Sequence, residues 1–188
     1  MLLDIGLGIL AALGVANLFG EIPTELFIMA GIGFALLPDL DFVYALLRYG
    51  PNNYRAMIRH RDYLHYPILY VAAGGFLALF ISPAWGVLFL ITTLAHLAHD
   101  SIGLGWGVAW LWPLSDKNYT FFWRYVTPGK ELPRQLVYCW ERARIDDLIE
   151  EYRDPQWLKN IYFRPHPFFA TEIIGFAASV LILVRVLG

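Results

Sequence analysis

The chain has 188 residues, a length that suits one domain; 58% of them are hydrophobic, only 16% are charged, and the mean hydropathy is +0.51. A net charge of −2 gives no support for a nucleic-acid partner, and Cys139, the one cysteine, excludes an intrachain disulfide and any argument for an oxidising compartment. No basic leader with a small-residue cleavage site follows Met1, so the first apolar run is expected to be retained.

Five apolar runs follow in order: Ile5 to Phe19, Leu26 to Leu37, Tyr66 to Ile81, Ala84 to Ala98, and Phe168 to Val184. They are apolar on all faces, and a domain of this size has too little interior to bury five such helices. The expected fold class is therefore all-α, a multi-pass helical membrane protein with about five transmembrane helices. Each run is shorter than the roughly 20 residues that cross a hydrocarbon core, so each must borrow flanking residues. Lys and Arg collect in cytoplasmic loops. Of the 14 basic residues, all but Arg185 fall between the second and third runs (Arg48, Arg55, Arg59, Arg61) or between the fourth and fifth. With five spans those two loops share a side, which predicts the cytoplasmic (inner) membrane with the amino terminus inside.

Polar clusters punctuate the runs. Leu37-Pro38-Asp39-Leu40-Asp41 closes the second run. Pro38 disfavours helical geometry at Leu37, and in an extended turn Asp39 and Asp41 would face one site; a helix start whose macrodipole favours both acids is the alternative. His60-Arg61-Asp62-Tyr63-Leu64-His65 precedes the third run, and His96-Leu97-Ala98-His99-Asp100 ends the fourth. On a helix His96 and Asp100 share a face, a metal-ligand spacing, whereas His99 fits a ligand, a supporting donor or a neighbour that points elsewhere. The charge pattern puts all three clusters at one depth, where several ionisable groups without mutual pairing or a cation would be costly.

The stretch from 101 to 167 is too long for a plain connection and is expected to form a cytoplasmic or interfacial insertion before the last span. Its first third is crowded with aromatics (Trp106, Trp110, Trp112, Tyr119, Phe121, Phe122, Trp123, Tyr125), which fits a segment at headgroup level or an aromatic core patch. Arg134 to Tyr152 reads as a helix with Val137, Trp140, Ile145, Leu148 and Tyr152 on its apolar stripe. Asp154-Pro155 reads as the cap and first position of a short helix through Trp157, Leu158 and Ile161, and His166, between two prolines, as a loop residue. No GxGxxG, P-loop, Gly-x-Ser-x-Gly or CxxC occurs, so nucleotide binding and serine hydrolase chemistry have no support.

In order, Leu37-Pro38-Asp39-Leu40-Asp41, His60-Arg61 with His65, His96-x-x-x-Asp100 and Leu111-Trp112-Pro113-Leu114-Ser115 resemble the YdjM-type membrane-bound, metal-dependent hydrolases over about Gly31 to Ser115. The resemblance implies hydrolase chemistry. The family's middle motif usually reads His-Arg-Gly-x-Thr-His-Ser, where this chain has Asp62, Leu64 and Tyr66 in place of Gly, Thr and Ser; the lost hydroxyls would have helped orient His65. The family also tends to carry a histidine early in its first helix, where this chain has Asp4, an oxygen ligand in its place.

The expected function is hydrolysis of an ester or phosphoester, lipid-linked or phospholipid-like, at the cytoplasmic face by a metal-activated water. His65, His96 and Asp100 are expected to ligate a divalent metal, with Asp39, Asp41 and His60 completing a second metal or orienting the first ligands. Zn²⁺ suits the mixed imidazole and carboxylate set, and Mn²⁺ or Fe²⁺ if carboxylates dominate. Arg61 and Asp39 form the catalytic set, Arg61 steadying an anionic substrate or, alternatively, reaching lipid phosphates. The expected partners are the lipid bilayer and a small-molecule or lipid substrate. The alternative is a non-enzymatic membrane scaffold in which the same residues form a structural metal or hydrogen-bond network.

Overall fold

The structure is a computed structural model that describes residues 1–50 and 60–188, and for His60 the backbone alone. Arg55 and Arg59, which contribute to the basic loop between the second and third runs, lie outside the described residues. The chain divides into two compact units: Met1–Leu97 with Thr171–Gly188, and Ala98–Ala170.

The first unit is helical. Helices α1 (Leu2–Leu18), α2 (Glu25–Leu36), α4 (Pro67–Phe80), α5 (Pro83–Asp100) and α8 (Pro167–Leu187) coincide with the five apolar runs to within a few residues at either end. Their starts follow local chemistry: Thr24 accepts a hydrogen bond from Phe27 N, and Pro67 and Pro83 occupy first helical positions where no amide donor is needed. The core joins Ile9, Ala12, Leu13, Val15 and Ala16 of α1 to Phe27 and Ile28 of α2 and to Ala84 and Leu88 of α5. Helices α1 and α2 meet backbone to backbone at Gly8 and Gly31, where a Cβ on Gly8 would stand 2.6 Å from the Gly31 carbonyl oxygen. Glu172 of α8 accepts a hydrogen bond from Leu3 N at 3.0 Å, tying the last helix to the start of the first.

Between α2 and α3 (Leu40–Tyr49) the chain bends by 46°. Leu37 is helical here, not extended as the following proline suggested. Pro38 offers no amide hydrogen, so the ladder breaks, and hydrogen bonds from Asp39 N to Leu36 O and from Leu40 N to Leu37 O close a tight turn in its place. Helix α8, at 21 residues, has the length and hydropathy to cross a bilayer by itself, and only 11% of its most apolar window is buried; α2 with α3 passes the same test as a bent pair. Helices α1 and α4 are apolar but shorter.

The second unit departs from an all-α reading. Strands β1 (Lys117–Phe121) and β2 (Val137–Glu141) pair antiparallel, with Tyr119 opposite Cys139. The helix expected over Arg134 to Tyr152 starts only after a 3-10 turn at Arg142–Arg144, as α6 (Ile145–Tyr152). Val137, Tyr138 and Trp140 favour a pleated surface, and Trp140 uses it: its indole nitrogen donates to Thr120 Oγ1 across the ladder. Trp106 is buried, edge-on to Trp140, with the Arg124 guanidinium 3.2 Å over its face. Part of the aromatic crowd thus forms this unit's core, while Trp112, Phe122 and Trp123 are exposed. Asp154 accepts from Gln156 N and leads into the short helix α7 (Trp157–Tyr162).

Candidate metal centre

Two imidazoles and two carboxylates converge. Asp39, His65, His96 and Asp100 each offer one ligand atom, and the four atoms lie within 4.8 Å of one another. Three elements bring them together: the turn that begins α3 supplies Asp39, the segment before α4 supplies His65, and one face of α5 supplies His96 and Asp100 a turn apart. His65 and His96 are buried, with ring centroids 5.8 Å apart, whereas Asp39 and Asp100 are half-buried. Burial is thus complete at the two imidazoles and partial at the two carboxylates.

Each imidazole has a further carboxylate on its Nδ1 side. His65 Nδ1 is 2.9 Å from Asp41 Oδ2, and the same oxygen accepts from Leu64 N at 3.1 Å, clasping the segment that carries His65 to the first turn of α3. His96 Nδ1 is 3.4 Å from Asp4 Oδ1, while its Nε2 lies 3.6 Å from Asp39 Oδ1 inside the cluster. A carboxylate at Nδ1 favours the proton there and leaves the Nε2 lone pair for a cation, the usual support of a metal-bound histidine. This donor set, imidazole nitrogens backed by carboxylates plus two carboxylate oxygens, fits a borderline divalent ion such as Zn²⁺ and also Mn²⁺ or Fe²⁺.

Of the residues singled out in the sequence, His65, His96, Asp100 and Asp39 come together. Asp39 and Asp41 turn to different imidazoles, not to one shared point, because the helical turn at Leu37 separates their side chains. Arg61 is half-buried in the 3-10 turn His60–Asp62, four residues before His65; the side chain of His60 lies outside the described residues. His99 stacks on Phe168, ring centroids 5.8 Å apart and the ring planes nearly parallel. Asp4 is buried beside His96 and is not one of the four converging ligands. The hydroxyls lost at Leu64 and Tyr66 do not leave His65 without an orienting group, since Asp41 supplies one; the Tyr66 hydroxyl donates to Asp62 O.

A mostly helical chain with one helix, α8, long and apolar enough to cross a bilayer, and a partly buried Asp/His cluster that could hold a metal ion has the features of a helical membrane protein with a candidate metal site. Residues 4–146 match the family model described as YdjM inner membrane protein, and the chain belongs to that family. Membership associates it with the lipid bilayer of the inner membrane. No curated protein and no solved structure matches it.

Proposed function

We propose that this protein is a multi-pass, metal-dependent hydrolase acting on an ester or phosphoester at the cytoplasmic face of the inner membrane. The observation that carries the reading is the convergence of Asp39, His65, His96 and Asp100 from three separate segments. His65, His96 and Asp100 hold the metal with Asp39, and Asp41 and Asp4 orient the two imidazoles. A divalent ion bound by this set would supply an activated water nucleophile, its pKa lowered toward about 7. The half-buried carboxylate side gives the substrate its approach. Arg61 steadies the anionic group, since a guanidinium matches phosphate with two parallel hydrogen bonds.

Five crossings, by α1, α2, α4, α5 and α8, with the amino terminus inside, are supported by the five apolar runs and by the gathering of every basic residue but Arg185 between the second and third runs or between the fourth and fifth. Lipid-linked phosphates and phospholipid headgroups are then the substrates within reach.

Elemental analysis of the detergent-purified protein tests the reading. A near-stoichiometric divalent metal is expected in the wild type and its loss in the double variant His96→Ala, Asp100→Ala; Arg61→Ala should keep the metal and lose turnover. Wild-type protein that stays metal-free after incubation with Zn²⁺ and Mn²⁺ would refute it. A metal retained with no turnover of phosphomonoesters or phosphodiesters would favour a structural metal in a membrane scaffold.

A further inference from the structure

Tyr70 is a tyrosine of an apolar helix, yet its hydroxyl is the exception to the helix's pairing rules. The residue is 5% exposed, and the hydroxyl oxygen is buried with no hydrogen-bond partner among the described residues. It is five residues past His65, on the first turns of α4, and its ring lies beside Phe89, centroids 6.0 Å apart. Phe89 precedes His96 by two turns on the same face of α5. The carboxylates of Asp41 and Asp39 are both close enough to act on the hydroxyl electrostatically. Asp41 Oδ1 is likewise buried without a hydrogen-bond partner among the described residues. Thr92 and Thr93, also buried on α5, donate their hydroxyls to carbonyls of their own helix and leave nothing aimed at the cluster.

Buried hydroxyls are almost always paired, and one that is not is expected to meet a partner the protein itself does not contain. The neighbouring chemistry says which kind. The carboxylates of the cluster are acceptors only, and its imidazoles turn lone pairs inward, so a phosphoryl group entering it finds few donors for its oxygens. We propose that the Tyr70 hydroxyl is a substrate contact of this site, donating a hydrogen bond to a phosphoryl oxygen of the molecule held at the cluster. The inference rests on the phosphoester reading of the site and adds, from a buried residue of α4, a second donor to the Arg61 guanidinium which that reading already uses.

The experiment uses full-length, detergent-purified protein loaded with Co²⁺, whose visible spectrum reports the ligand field, and inorganic phosphate as the probe. Tyr70→Phe removes a hydroxyl that no described residue pairs with, so cobalt stoichiometry and thermal stability are expected to match wild type. Phosphate should bind about ten- to hundredfold more weakly, the range for a hydrogen bond to a charged group. In a second measurement, 3-fluorotyrosine placed at position 70 should shift its fluorine resonance when phosphate is added. Equal phosphate affinity in Tyr70→Phe, an unmoved fluorine signal, or no phosphate binding by cobalt-loaded wild type would each overturn the Tyr70 assignment while leaving the metal site standing. A wild type that takes up no cobalt would overturn the metal-dependent reading and this contact with it.

Discussion

At the scale of single residues, the carboxylates divide into those that face the cluster and those that stand behind an imidazole. Asp41 is of the second kind and holds both His65 Nδ1 and the Leu64 amide. Asp41→Asn keeps an oxygen for the amide but removes the negative charge that favours the proton on Nδ1. Metal affinity, measured by competition with a chelator, should fall about 10- to 100-fold with helix content unchanged, the usual cost of losing such a partner; unchanged affinity would show that Asp41 does not support the site. The converging residues were legible because residue type and spacing carry them: His96 and Asp100 must share a helix face wherever that helix lies. Which carboxylate serves which imidazole was not legible, because it depends on the turn at Leu37, and the proline rule pointed the other way. Tyr70 was invisible for a plainer reason. A tyrosine in an apolar helix has the same pattern as a packing residue, and only the missing partner of its oxygen tells them apart.

Among the elements, helices were readable and the small sheet was not. Alternating and helical patterns overlap in short segments, and the stripe drawn through Val137 and Trp140 belongs to a strand up to Glu141 and to a helix only from Ile145. The segment after α6 is held by Asp154, which accepts from Tyr125, Asn160 and Gln156 N at 2.6, 2.7 and 2.8 Å. Burial works against its ionised form, but those hydrogen bonds and the nearby Arg164 charge outweigh it and hold the carboxyl below its ordinary value of 3.8. The Tyr125 hydroxyl, half-buried and facing that carboxylate, is pushed up to about 12 and stays a donor at neutral pH. A carboxyl with a lowered folded pKa adds stability that is complete above its ordinary value and is lost as pH falls through the lower folded one. The second unit should therefore hold its near-ultraviolet signal down to about pH 4 and lose it below, whereas Asp154→Asn should be less stable at neutral pH and show a flatter acid transition. An identical acid profile for the variant would remove Asp154 from the account.

For the molecule as a whole, the apolar residues that face outward set the environment. Leu79 and Phe80 of α4 and Ile174, Leu181 and Val184 of α8 are all well exposed, an arrangement that suits lipid and not water. Orientation is open to direct measurement. Single cysteines at Lys117 and at Pro83, in a background without Cys139, should be labelled from opposite sides, Lys117 from the cytoplasm. Labelling of the Lys117 position from outside intact cells would invert the proposed topology and with it the side from which substrate arrives. The joining of Leu3 to Glu172 has a consequence for biosynthesis. All four cluster residues have been made once Asp100 has been added, but Asp4, which backs His96, sits one residue from an amide whose partner is still 72 residues short of synthesis. The stretch 98–170 is thus interposed in time as well as in sequence: the nascent chain holds its ligands early, with α2 and α5 already present for α1 to pack on, and the tie from Leu3 to Glu172 closes only when the last helix emerges.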